Sequence, residues 1–259
     1  MEHRRKLSAF IPVQNVEDII EDCLESIKWV DEIFIVDAYS TDNTLNICRK
    51  YSNVKIVQHE YENSGAQRSW GMAQVAHEWV LIIDSDERCT VELRKEIERI
   101  LMMDEIPFDG FNVYIRTQFF GKLLTHKTYL GWAGKRLVRR DMHQNYILKK
   151  VHSYMKIDKL AWIENKDAYL IHIPIRDFRI QWEKLIRYSR WHARDMYDSG
   201  KHVHWYHFTV RPFFKFFQFY FIRRGFMDGV RGLIMCAIAG ISVFMKYYKL
   251  WELYHRDRE

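Results

Sequence analysis

Trp79-Val80-Leu81-Ile82-Ile83 runs straight into Asp84-Ser85-Asp86-Glu87, and no other stretch restricts the fold as much. Five consecutive apolar residues fit a strand covered on both faces in a parallel sheet. Side chains two apart in an extended chain point the same way. Asp84 and Asp86 can therefore aim at one point beyond the strand. In open α/β sheets, ligands bind past the carboxyl ends of the strands. Paired carboxylates there suit a hard divalent cation that also holds phosphates. A solvated turn can carry the same Asp-x-Asp, so the surrounding chain decides.

That chain alternates. Leu7 to Val13 predicts a strand, with Asn15 as the N-cap of a helix carrying Ile20, Cys23, Leu24 and Ile27. Glu32 to Val36 predicts a second strand ending at Asp37, and Ser40-Thr41-Asp42 opens a helix to about Tyr51. Val54 to Val57 is a third strand, Ser64 to Ala76 a helix interrupted by Gly71, and the acidic strand comes fourth. Thr90 then caps a helix with Leu93, Ile97, Ile100 and Leu101 on one face. Four such alternations call for a mostly parallel sheet with helices on both faces. Pro12, Asn15, Asp37, Asp84 and Asp86 fall at carboxyl ends of strands and converge on one sheet edge.

Neither Gly-x-Gly-x-x-Gly nor a P-loop follows the first strand, which disfavours a dinucleotide dehydrogenase or an ordinary NTPase. A bound diphosphate would then need a metal and arginines to neutralise it. Cys23, Cys48, Cys89 and Cys236 show no paired spacing, so no zinc site or disulfide framework is expected and a reducing compartment fits. The basic start, Met1 to Lys6, lacks the apolar core and cleavage site of a signal peptide.

From Phe108 the rhythm changes to mixed α+β material. Gly110–Arg116, Lys135–Arg140 and Ala168–His172 look like strands, and Asp177 caps a long helix ending near Gly200. The tail from Lys201 is a separate electrostatic object, with ten Lys/Arg against four Asp/Glu. Eleven aromatics lie between Trp205 and Phe226, interleaved with Arg211, Lys215, Arg223 and Arg224. Gly232 to Met245 is then uncharged for fourteen residues, short of the ~20 a spanning helix needs. Basic and aromatic flanks around a short apolar run suit a helix lying in a membrane interface. The plainer alternative is a helical hairpin packed on the globular domain or on a second subunit. The expected organisation is 1–107, 108–200 and 201–259.

Four segments together resemble glycosyltransferase family 2, with its GT-A fold. They are Ile11-Pro12-Val13-Gln14-Asn15, Val36-Asp37 through Ser40-Thr41-Asp42-Asn43-Thr44, Gly65-Ala66-Gln67-Arg68, and Leu81-Ile82-Ile83-Asp84-Ser85-Asp86-Glu87-Arg88. Lys135–Arg140, Val151-His152 and Arg224–Gly232 are similar to one branch, the bacterial transferases of the lipopolysaccharide inner core. The likeness implies a Rossmann-like GT-A sheet followed by a helical, basic, aromatic-rich extension. It also implies a metal-dependent, inverting transfer of a sugar from a nucleotide donor, UDP favoured, to a glycan or glycolipid hydroxyl.

By the same resemblance, Asp37 would bond the nucleoside, Asp84 the ribose or metal, and Asp86 the Mg²⁺ or Mn²⁺ directly. Pro12, Asn15, Gln67, Arg68 and Ser85 would line the nucleotide, and Arg136 and Arg139 would bind phosphate oxygens. His152 is the candidate base or extra ligand, with Asp141 as the alternative. This chain has His152-Ser153 where the branch carries His-Glu, and Ala38-Tyr39 where Ser-Gly is usual. Tyr39 would narrow the nucleotide pocket or stack on the base. The implied location is the cytoplasmic face of the inner membrane, in peripheral contact with anionic lipid, and self-association is compatible with the tail. A nucleotidyltransferase on a related sheet and a non-enzymatic nucleic-acid binder are the rival readings. The first lacks its Gly-rich basic loop here. The second is at odds with a charge-neutral first 200 residues and an acidic cleft, so no nucleic-acid partner is expected.

Overall fold

The computed structural model describes residues 4–124, 132–147, 154–174 and 178–256. The first elements are β1 (Leu7–Val13), α1 (Ile20–Ile27), β2 (Glu32–Asp37), α2 (Thr44–Cys48), β3 (Val54–Gln58), α3 (Ser64–Met72) and β4 (Trp79–Ile82). After these come β5 (Glu87–Cys89), α4 (Val91–Leu101), β6 (Gly110–Phe119), β7 (Lys122–Leu123) and β8 (Trp132–Arg139). The short strands β9 (Tyr146–Ile147), β10 (Tyr154–Met155), β11 (Leu160–Trp162) and β12 (Tyr169–His172) follow. The chain ends in α5 (Phe178–Asp198), α6 (Val210–Phe217) and α7 (Gly229–Arg256). It divides into two compact units, residues 1–115 with 132–172, and residues 116–131 with 173–259.

In the first unit the sheet runs β3-β2-β1-β4-β8-β6-β12-β5. β3, β2, β1 and β4 are parallel, and β8 is antiparallel to both β4 and β6. The chain winds outward from β1 through β2 to β3, then returns to the other side of β1 as β4. That reversal opens a crevice at the carboxyl ends of β1 and β4.

Both faces of the sheet are covered. Leu7, Ala9, Ile11 and Val13 pack with Ile20, Cys23, Leu24 and Ile27 of α1 and with Leu93, Ile97 and Leu101 of α4. Phe10, Phe34 and Val36 face the other way, onto Met72 and Val75 at the end of α3. Gly71 explains why a helix tolerates a glycine there. A Cβ on it would stand 2.2 Å from the Phe10 ring and 2.8 Å from Val36, so α3 lies closer to the sheet than any larger residue allows.

Two local expectations are corrected. Asn15 is not the N-cap of α1. It sits at φ +50 and its Oδ1 accepts the Thr41 N–H at 2.8 Å, while α1 begins only at Ile20 without a side-chain cap. The helix after Ser40-Thr41-Asp42 is only five residues long. The motif's side chains instead stitch two loops together. Ser40 Oγ accepts the Asn15 N–H, Thr44 Oγ1 the Val16 N–H and Asp42 Oδ2 the Glu17 N–H. The uncharged run Gly232–Met245 lies within a helix of 28 residues. By length and composition alone the stretch Gly225–His255 that contains this run could cross a membrane.

The second unit is helical. Leu185 of α5 packs with Met235 and Ile238 of α7, and Ala193 with Tyr247 and Leu250. α6 lies along the same helix through Phe216, Phe219, Cys236 and Ala239. The β6–β7 hairpin turns at Phe120 and Gly121, both with positive φ, as a two-residue turn requires.

Candidate active site

Asp84 stands at the carboxyl end of β4 between two arginines from different elements. Arg68 of α3 places Nη2 2.6 Å from Oδ1, and Arg136 of β8 places Nη2 3.2 Å from Oδ2. Arg136 also reaches Glu87 Oε1 at 2.5 Å, and Glu87 Oε2 accepts the Asp84 N–H at 3.0 Å. Burial pushes the Asp84 carboxyl upward, but the two guanidiniums outweigh it and hold Asp84 well below the usual carboxylate range. Glu87 is fully buried. Burial drives it up to about 7, against the pull of Arg136 and with Asp84 adding to the rise. The Nε atoms of Arg68 and Arg136 are buried and meet no acceptor among the described residues. Two guanidiniums thus converge here with donor capacity to spare.

Asp86 takes a different partner. His172, the last residue of β12, places Nε2 3.5 Å from Asp86 Oδ2. The antiparallel β5–β12 register sets Glu87 opposite His172 and delivers the imidazole to the acidic turn. Burial would lower the His172 pKa, but the hydrogen bond and charge of Asp86 raise it, with Glu87 and Asp84 adding to the effect. Tyr146 belongs to the same neighbourhood. Burial raises its hydroxyl, while Arg68 and Arg136 pull it back.

The other expected residues divide. Asp37 is fully buried; both its oxygens accept the Ser40 N–H at 3.1 Å and Oδ2 also accepts from Gln58 at 3.0 Å. Gln67 is turned inward on His59, 3.0 Å from its Nδ1, and that ring stacks on Trp70. Pro12 pairs with Val36 in the sheet, and the Ser85 carbonyl accepts from Arg88. Arg139 is not brought to the site. It pairs with Asp109 and Glu78 and covers the Trp79 ring, at the opposite end of β4. Asp141 is exposed in a turn whose start is pinned to the Glu78 carbonyl. His152 lies outside the described residues. Among the described residues no three His, Cys, Asp or Glu side chains converge as a ready metal cage.

The model of glycosyl transferase family 2 matches residues 8–161, more than half the sequence. The chain belongs to that family. A lipopolysaccharide core biosynthesis glycosyltransferase, LpsC of Rhizobium meliloti, is 27% identical, over 95% of this chain and 92% of its own. An uncharacterised glycosyltransferase of Rickettsia conorii is 29% identical, over 95% of this chain and 90% of its own. Among solved structures, S. aureus TarS 1–349 in complex with UDP-GlcNAc superposes with a TM-score of 0.54. That likeness covers 97% of this chain and 92% of that one at 18% identity, and it shows a shared fold. The glycosyltransferase thus has the GT-A sheet its sequence implies, with a helical, basic and aromatic-rich C-terminal region.

Sequence reasoning overlooked Glu87, Tyr146 and His172 as members of the site. Glu87 was legible only as the residue after Asp-x-Asp. The one signal for His172 was a strand of apolar residues ending in a histidine.

Proposed function

We propose that this glycosyltransferase moves a sugar, with inversion, from a nucleoside-diphosphate donor to a hydroxyl of a lipid-linked glycan. UDP is the favoured nucleotide and lipopolysaccharide core the favoured acceptor. The supporting observation is the pairing of Arg68 and Arg136, each with an unsatisfied buried Nε, on Asp84 at the carboxyl end of β4. Two guanidiniums with free donors suit the oxygens of a diphosphate.

The residues fit a divalent ion, though not with both aspartates as ligands. Asp84 already spends its two oxygens on arginines. Asp86 and His172 offer a carboxylate and an imidazole to Mg²⁺ or Mn²⁺. When bound, such an ion neutralises the diphosphate and favours its departure as a Lewis acid. The chain's own residues do the rest. Asp84 and Glu87 fix the two arginines, which bind and orient the diphosphate. Asp37 and the loops tied by Asn15 shape the nucleoside side. An inverting displacement needs a group to take the acceptor's proton. We assign it to His152, with Asp141 second.

Relatives support the acceptor class through the name of LpsC, and the bound donor of TarS matches the favoured nucleotide. A cytoplasmic site at the inner face of the membrane is where such an acceptor and a soluble donor meet. The test is to offer UDP-, GDP- and dTDP-sugars with extracted acceptor lipids and identify the released product. A nucleoside diphosphate is expected. Release of pyrophosphate would instead mark a nucleotidyltransferase.

A further inference from the structure

The outward face of α7 is apolar from Val230 to Trp251. Val230, Leu233, Ile234, Ile241, Phe244, Tyr248 and Trp251 are all exposed on it, Val230 at 72%. Their spacing keeps them within about a third of the helix circumference. Two other faces of α7 are already filled. Met235, Ile238, Tyr247 and Leu250 pack with residues of α5, and Cys236 and Ala239 lie against Phe216 and Phe219. Gly232 and Gly240 let the neighbouring chain approach closely. A Cβ on the first would meet the Gly225 carbonyl at 1.9 Å, and one on the second the Pro212 carbonyl at 3.1 Å. α6 and the π-helical turn after it, Gln218–Ile222, add a stripe of their own, Phe213, Phe217 and Phe221, all at least half exposed.

Exposed apolar surface of this extent marks an interaction site. Charge selects the partner. From residue 201 to the end of α7 the sequence has two carboxylates, Asp228, which is 4% exposed, and Glu252, which is paired with Lys249 at 2.7 Å. Arg223, Arg224 and Arg231 are exposed around the turn that joins α6 to α7. A second copy packed on this face would offer those arginines little acid, since Asp228 is buried and Glu252 is already paired with Lys249. An anionic phospholipid surface supplies both an apolar layer and negative charge.

The packing also decides how the helix meets the bilayer. A spanning helix is surrounded by hydrocarbon, and every neighbour it keeps must be apolar too. α5 carries Arg179, Glu183, Arg187, Arg190, Arg194, Asp195 and Asp198, and it is packed along α7. Crossing would drag those charges into the membrane or strip α5 away.

We propose that α7, although long enough to cross a membrane, lies in the plane of an anionic bilayer interface, with the Val230–Trp251 stripe in lipid and α5 on the water side. This rests on the membrane contact proposed above and specifies its face and geometry.

Sedimentation of the full chain with vesicles tests it, using phosphatidylcholine with and without phosphatidylglycerol. The wild type is expected to bind the anionic vesicles and to come off in alkaline carbonate. Ile234→Glu with Phe244→Glu should weaken binding at least about tenfold, since two charges enter the apolar layer. Val91→Glu, an exposed apolar site in the first unit, should leave it unchanged. Replacing Arg223, Arg224 and Arg231 by Gln should cost about a hundredfold, roughly fivefold for each charge, and stands in if the double variant does not fold. Binding that resists carbonate would overturn the in-plane geometry, and stripe and arginine variants that bind like wild type would overturn the assigned face; either leaves membrane contact itself intact. A wild type that binds no vesicle would remove the membrane reading as a whole. A dimer dissociated by Ile234→Glu, without vesicle binding, would make the face a self-association surface and overturn the proposal.

Discussion

His172 Nε2 faces Asp86 Oδ2 across 3.5 Å, brought there by the antiparallel pairing of two short strands, β5 and β12, that are far apart in sequence. We propose that this carboxylate–imidazole pair helps to hold the ion, so His172→Ala should raise the Mn²⁺ concentration needed for half-maximal turnover by at least about tenfold. Titrating activity against Mn²⁺ checks this. An unchanged requirement would separate His172 from the metal.

Arg136 is the only described cation that bridges Asp84 and Glu87. Arg136→Ala leaves two carboxylates without it, one of them fully buried. Loss of one partner of such a buried pair costs about 3–5 kcal/mol. Urea unfolding of the variant should show a loss of that order, and a loss below about 1 kcal/mol would mean that the network relaxes without cost.

Asp84 has a pH signature. Its folded-state pKa lies below the ordinary value of 3.8. It therefore contributes stability above that value and loses it as pH falls through the lower folded pKa. Asp84→Asn should be less stable than wild type at neutral pH, and the gap should close in acid. Melting midpoints of both proteins across that range test the sign. A gap that widens in acid would contradict it.

Tyr39 holds φ +56 and is 58% exposed at the carboxyl end of β2. A bulky residue in the left-handed region costs about 1–2 kcal/mol, and strain kept at a site edge points to a role in ligand contact. Tyr39→Gly should raise the melting temperature and weaken nucleotide binding. Calorimetry with UDP measures the second effect, and unchanged affinity would remove Tyr39 from the pocket.

Gly71→Ala should destabilise by about 1–3 kcal/mol, because the added methyl overlaps Phe10 in a filled core. Chemical denaturation checks this directly.

Much of the parallel part of the sheet was legible because its strands are buried on both faces and read as unbroken apolar runs. β1 was expected over Leu7–Val13 and spans those residues. Thr90 was expected as an N-cap, and its hydroxyl accepts the Leu93 N–H. What escaped depends on distant pairing. Nothing local to Tyr169–His172 says that it lies beside Glu87–Cys89. Asn15 has the composition of a cap, yet its side chain bonds a loop from the next βα unit. The tail helix outran its uncharged core because lysines can extend past an apolar face without ending a helix.

The central claim is that Asp86 and its surroundings bind a nucleoside diphosphate together with a divalent metal. Thermal unfolding with UDP, with and without Mn²⁺, in wild type and Asp86→Ala tests it most directly, because a ligand bound only to the folded state raises the melting point. Stabilisation of the wild type that requires both ligands and vanishes in the variant is the predicted result. Equal stabilisation of the two proteins, or stabilisation by UDP regardless of Mn²⁺, would contradict it.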